Sequence, residues 1–200
     1  MGNITKFVLW ACLLANGLPC AAAEIDGIWS SVSRSKGGLG SQWVFADGRA
    51  NYSFGALVDF TYKVSGPKLE MTFTEAGGRG ESSKQEFLID GDTLTLDPNN
   101  PERRQIMKRV RGGPSRESIV GEWTYKHYTG GPAFMRYSNN GQGQLVVPMK
   151  TMDGNYTIDN DRVLISLPSE NISVTGSLGA GSLSIRDEQG RETRFKRFER

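Results

Sequence analysis

Two copies of one sequence plan fill most of the chain, and this repeat limits the possible folds more than any other feature. Ile25-Asp-Gly-Ile-Trp29 recurs 94 residues later as Ile119-Val-Gly-Glu-Trp123. The copies also end alike, in Met107-Lys-Arg-Val110 and Phe195-Lys-Arg-Phe198. Self-similarity at a fixed offset indicates a structural unit that is built twice.

A polar segment separates the two copies. Residues 111–117 contain two glycines, a proline and a serine and carry no hydrophobic period, which is typical of a linker. We therefore predict a first unit over residues 24–110, a linker over 111–117 and a second unit over 118–200.

The hydrophobic pattern within each copy is that of strands. Over residues 58–65 and 68–74, apolar and polar side chains alternate with a period of two, as in half-buried strands. We predict about eight short strands per unit, with separate strands over 49–54 and 58–65. The predicted tight turns lie at Asp47-Gly48, Asp90-Gly91, Asn140-Gly141 and Asp153-Gly154. Such a meander can close on itself, so the predicted fold is all-β, with two tandem antiparallel β-barrel units.

The Gly-x-Trp opening, the Phe45-Ala-Asp-Gly48 hairpin and the terminal Lys-Arg-hydrophobic strand resemble the small lipocalin-like domains of secreted bacterial proteins. The resemblance covers nearly all of residues 25–110 and 119–200. It implies that the tryptophan packs at the closed base of each barrel, beside a basic residue of the last strand. By this resemblance Trp29 lies near Arg109 and Trp123 lies near Arg197.

The N-terminal segment has the layout of a secretory signal peptide. Lys6 precedes a 12-residue apolar run over 7–18, and Ala21–Ala23 supply small residues for cleavage. We predict removal of residues 1–23 and a location in the periplasm or outside the cell. A lipid on Cys20 is the alternative, although Gly17-Leu-Pro19 departs from the usual lipoprotein signal. The run is too short to span a bilayer as a helix, so we expect no stable membrane insertion.

Charge and residue chemistry exclude several functional classes. Lys and Arg number 24 against 22 Asp and Glu, which argues against a dedicated nucleic-acid binder. Both cysteines lie in the predicted signal peptide, and a single histidine, His127, leaves no ordinary zinc site. A catalytic triad would need this histidine, but the sequence has no Gly-x-Ser-x-Gly elbow for the nucleophile. No spacing of carboxylates marks a catalytic pair. We therefore expect neither an enzyme nor a bound metal or cofactor.

The remaining expectation is a non-catalytic binding protein for a small apolar or amphipathic ligand. Inward alternation in the first unit places the predicted ligand-binding residues at Trp43, Phe45, Tyr52, Phe60 and Tyr62, with Arg109 beneath them. The same aromatic side chains are also suited to filling a barrel. The alternative is therefore a protein-interaction module, such as an envelope scaffold or an inhibitor of a secreted enzyme, with filled barrels and no small ligand.

Overall fold

The computed structural model describes residues 25–74, 80–160, 162–170, 172–179 and 181–199. The predicted signal peptide over 1–23 lies outside the described residues. Fourteen strands and one short 3-10 turn, Pro168–Glu170, make up the described secondary structure. The strands are β1 (Gly27–Ser31), β2 (Leu39–Ala46), β3 (Arg49–Ser65), β4 (Lys68–Thr74), β5 (Glu81–Asp90), β6 (Thr93–Leu96), β7 (Gln105–Arg111), β8 (Gly121–Lys126), β9 (Pro132–Tyr137), β10 (Gln142–Asp159), β11 (Arg162–Leu167), β12 (Ile172–Gly179), β13 (Ser182–Arg186) and β14 (Glu192–Phe198).

All fourteen strands belong to one antiparallel sheet that closes in a ring. Each strand pairs with the next along the chain, and β1 pairs with β14 to complete the circle. The predicted all-β, antiparallel class is therefore confirmed. Over the described residues, no helix is long and apolar enough to cross a membrane.

A second pairing runs across the ring. The long strands β3 and β10 pair with each other from Arg49 with Asn155 to Thr61 with Gln142. On its other edge, β3 pairs with β2 along its first half and with β4 along its second half. The β3–β10 ribbon therefore divides the ring into two parts.

Each part encloses its own hydrophobic core. Core A contains the buried side chains Ile25, Trp29, Trp43, Phe45, Ala50, Met152, Tyr156, Val163, Ile165, Leu167, Val174, Leu183, Ile185 and Phe195. Core B contains Phe60, Leu69, Met71, Leu94, Leu96, Met107, Ile119, Trp123, Met135 and Tyr137. Both cores take side chains from both repeats, because β3 and β10 each continue from one core into the other.

The strand pairing differs from the predicted closure of each repeat on itself. The first strand of the first repeat pairs with β14, at the end of the second repeat. The last strand of the first repeat, β7, pairs with β8. Core A is therefore surrounded by β1, β2 and the first half of β3 together with the second half of β10 and β11 to β14. The second half of β3, the strands β4 to β9 and the first half of β10 surround core B.

The continuity of β3 is the local reason why strands of both repeats surround each core. The predicted break between strands over 49–54 and 58–65 is wrong, because Gly55 lies inside one continuous strand. A Cβ added at Gly55 would lie 2.2 Å from the carbonyl oxygen of Val147 on β10. This glycine allows a close approach of two strands, which is a known role of glycine within a strand.

Two predicted turns show that a glycine marks either a chain reversal or a close approach of two strands. Asp47 and Gly48 adopt positive φ angles of 50° and 77° and connect β2 to β3, as predicted. The predicted turn at Asp153-Gly154 is wrong, since both residues lie within β10. A Cβ at Gly154 would lie 2.1 Å from the carbonyl oxygen of Ser166, so this glycine also accommodates a neighbouring strand.

Candidate functional site

The structure divides the predicted ligand-binding aromatic residues between the two cores. Trp43, Phe45 and Tyr52 lie in or against core A, whereas Phe60 and Tyr62 lie in or against core B. The cause is β3, whose first half carries Tyr52 and whose second half carries Phe60 and Tyr62. These five residues therefore do not line one common pocket.

Within each core, the aromatic rings pack against one another. The ring centroids of Trp43 and Phe45 are 5.7 Å apart, and those of Trp43 and Tyr52 are 4.9 Å apart. In core B, the Tyr137 ring lies 5.5 Å from Phe60 and 5.1 Å from Tyr62. These separations are those of favourable aromatic pairs, so the rings fill space in the cores.

The arginines at the ends of the two repeats exchange their predicted partners. The guanidinium carbon of Arg109 lies 4.0 Å from the Trp123 ring centroid, and that of Arg197 lies 5.1 Å from the Trp29 centroid. The resemblance implied the opposite pairs. The exchange follows from the pairing of β1 with β14 and of β7 with β8, which brings each tryptophan beside the arginine on its neighbouring strand.

Two cavities, together called the groove here, lie where the strands around core A meet those around core B. One cavity in it, here called the inter-core cavity, has a volume of about 250 Å³. Ile28 and Phe198 line it from the core A side, and Glu122, Arg136 and Tyr137 line it from the core B side. A second cavity of about 250 Å³ also borders Phe198. The groove therefore offers concave surface that neither core provides alone.

A buried cluster of polar side chains lies beneath the groove. Gln144 is at its centre, because its Oε1 accepts hydrogen bonds from Ser30 Oγ at 3.0 Å and from Gln42 Nε2 at 2.9 Å. Its Nε2 donates to Asp59 Oδ1 at 2.8 Å. Ser30, Gln42 and Gln144 are 1–2% exposed. Since β1, β2, β3 and β10 each contribute one member, the cluster fixes how the two parts of the ring meet.

An ion pair extends this cluster to the inter-core cavity. Arg136 Nε donates to Glu122 Oε2 at 2.7 Å, and the two side chains are 5% and 11% exposed. Arg136 Nη1 also donates to Gln42 Oε1 at 2.8 Å. At the equivalent positions, 94 residues earlier, the first repeat has Gln42 and Ile28. The ion pair therefore distinguishes the two otherwise similar repeats.

Asp59 lies at the other end of the polar cluster. Its Oδ2 forms ion pairs with Arg34 at 2.8 Å and with Lys196 at 3.1 Å. Burial by itself raises the pKa of the Asp59 carboxyl. The hydrogen bond from Gln144 and the positive charges of Arg34 and Lys196 outweigh that effect and hold the pKa below its ordinary value. Asp59 is therefore a carboxylate that stays ionised.

Gln42, Glu122 and Arg136 were not among the sequence-based candidates. The strand pattern marks Gln42, Glu122 and Arg136 only as polar positions, which are usually solvent-exposed. A signal was nevertheless present: comparison of the repeats at their 94-residue offset shows Ile28 against Glu122 and Gln42 against Arg136. Differences between repeats mark positions that the shared fold does not require.

The single histidine of the chain does not line either cavity of the groove. No group of three or more His, Cys, Asp and Glu side chains is arranged to hold a metal ion in the described ranges. His127 lies in the loop between β8 and β9, with its Nδ1 2.9 Å from Thr129 Oγ1.

Comparisons of the chain with protein-family models, curated proteins and solved structures find no match. The resemblance to lipocalin-like domains therefore stays a prediction.

Proposed function

We propose that this chain is an exported, non-catalytic binding protein that takes a small apolar or amphipathic ligand in the inter-core cavity. The observation that carries this proposal is the composition of the cavity wall. The apolar residues Ile28, Val120 and Phe198 line the same space as the ion pair of Glu122 and Arg136. An apolar wall with few polar groups at the boundary between two structural units is typical of small-molecule sites.

The proposed fold behind this site is a pair of lipocalin-like barrels that exchange strands. Eight strand segments surround each core, and the β3–β10 ribbon contributes to both. In this proposal, the packed aromatic cores stabilise the barrels, and the ligand lies between them.

The non-catalytic part of the proposal is supported by the state of the groove carboxylates. Asp59 faces two cations and Glu122 is held by Arg136. A general acid needs a carboxyl group whose pKa is raised, whereas the pKa of Asp59 is lowered.

Native mass spectrometry of the protein exported from its own host, beside a denatured spectrum, tests for a ligand. We expect the native mass to exceed the denatured mass by one discrete small-molecule increment. The denatured mass also reports cleavage after Ala23 or a lipid on Cys20. Equal native and denatured masses would contradict the proposal that the protein carries a ligand from its host.

A cavity-filling substitution tests where the ligand lies. Gly112 lines the inter-core cavity, and an added Cβ there would meet no non-neighbouring heavy atom of the described chain within 4 Å. We expect Gly112→Phe to abolish the mass increment. Gly131 is equally unobstructed but lies in the loop between β8 and β9, so Gly131→Phe is the matched control and should retain the ligand. Retention in both variants would exclude the inter-core cavity.

The second candidate is a protein-interaction module. The ring-to-ring packing in both cores favours it, because filled interiors leave the outer surface and loops as the means of recognition. We would then expect no mass increment, together with a stoichiometric complex with one envelope or secreted protein that re-forms from purified components.

A further inference from the structure

We infer that the ligand of the inter-core cavity is an apolar molecule with one carboxylate group, and that Arg111 binds this carboxylate. The inference rests on the proposed function and adds the chemical class of the ligand.

A row of three charged residues crosses the outer face of the sheet at the cavity. Arg111 on β7 pairs directly with Glu122 on β8, and Glu122 pairs directly with Arg136 on β9. Directly paired residues of antiparallel strands place their side chains on the same face. All three residues line the inter-core cavity. The row carries two guanidinium groups but only one carboxylate.

The single carboxylate of this row is engaged by one of the two arginines. Glu122 Oε2 accepts from Arg136 Nε at 2.7 Å, and Arg136 also donates to Gln42. Arg111, in contrast, has no side-chain hydrogen bond or ion pair with any described residue. Arg111 as a whole residue is half-buried. A cation next to an apolar surface is stabilised by an anionic partner, and arginine matches the planar carboxylate through two parallel hydrogen bonds.

The remainder of the cavity is suited to an apolar body. Ile28, Val120 and Phe198 line it, and Ile28 is 3% exposed. A volume of about 250 Å³ is just below the roughly 300–1,000 Å³ of ordinary ligand sites. The geometry therefore favours a short or medium-length monocarboxylate over a larger or multiply charged ligand.

Isothermal titration calorimetry of the mature protein with octanoate, 1-octanol and octylamine separates charge recognition from apolar contact. All three probes have the same apolar chain. We expect octanoate to bind at least about tenfold more tightly than octanol, because charge-assisted hydrogen bonds exceed neutral ones in strength. We expect octylamine to bind most weakly.

The substitution Arg111→Gln tests the assigned residue. We expect it to lower octanoate affinity about tenfold, to the level of octanol, and to leave octanol affinity unchanged. Arg104, exposed in the loop between β6 and β7, provides the control, and Arg104→Gln should not change either affinity. Thermal unfolding of both variants checks that they remain folded.

The outcomes distinguish the inference from the proposed function. Equal binding of the three probes, or an unchanged octanoate affinity in Arg111→Gln, would overturn the carboxylate inference but leave an apolar site. Absence of binding by all three probes would overturn the inference together with this cavity as the site.

Discussion

Arg109 of the first repeat lies over Trp123 of the second, with its guanidinium carbon 4.0 Å from the indole ring centroid. The Arg109 side chain is 7% exposed. Its Nη atoms donate to the backbone carbonyl oxygens of Arg116, Ser118 and Val120. One side chain therefore joins the end of β7 to the connection that leads into β8.

Replacing this arginine should destabilise the fold. We expect Arg109→Gln to lower the free energy of unfolding by about 2–3 kcal/mol, because the cation–π contact and charge-assisted hydrogen bonds are lost. Urea unfolding followed by tryptophan fluorescence measures the change. Arg104→Gln, in an exposed loop, should stay within about 0.5 kcal/mol of the native protein. Equal effects of the two substitutions would contradict a structural role for the Arg109–Trp123 contact.

Cutting the chain between the repeats should not separate them. A protease site inserted after Ser115, followed by cleavage, leaves fragments that share the β1–β14 and β3–β10 pairings. Since each core needs strands from both fragments, we expect them to co-elute in size-exclusion chromatography without denaturant. Elution as two independently folded fragments would show that each repeat closes on itself in solution.

The buried ion pair should respond differently to single and double substitution. Glu122→Ile removes the carboxylate that accepts from buried Arg136 Nε at 2.7 Å, so we expect a loss of about 3–5 kcal/mol in the free energy of unfolding. Adding Arg136→Gln recreates the Ile28 and Gln42 arrangement of the first repeat and should recover most of this loss. Chemical denaturation of the native, single and double variants measures the coupling. Additive losses would contradict direct dependence of the two side chains on each other.

Acid should weaken the structure through Asp59. The pKa of this carboxyl is lower in the folded protein than its ordinary value of 3.8, so its contribution is present above that value. This contribution is lost as pH falls through the lower, folded-state pKa. We expect Asp59→Asn to reduce the dependence of unfolding free energy on pH below about 4. Asp90→Asn, in an exposed position, is the control, and equal pH profiles for the two variants would contradict the role of Asp59.

Local pattern was sufficient to predict the all-β class. The alternation over 68–74 corresponds to β4, and Asp47-Gly48 forms the turn between β2 and β3. These features depend on neighbouring residues, whose side-chain period and accessible φ angles are set by local chemistry. Glycine positions were less informative about turns, because Gly55 and Gly154 lie within strands and allow a neighbouring strand to come close.

The sequence by itself determined the strands and the repeat, whereas the tertiary structure decided which strands close around each core. The terminal segments Met107-Lys-Arg-Val110 and Phe195-Lys-Arg-Phe198 are so alike that either suits the first strand. Local pattern does not distinguish pairing within a repeat from pairing between repeats. That distinction depends on the continuity of β3 past Gly55 and its long pairing with β10. The same pairing buries Gln42 and Arg136 against each other, so the candidate site exists only where the two repeats meet.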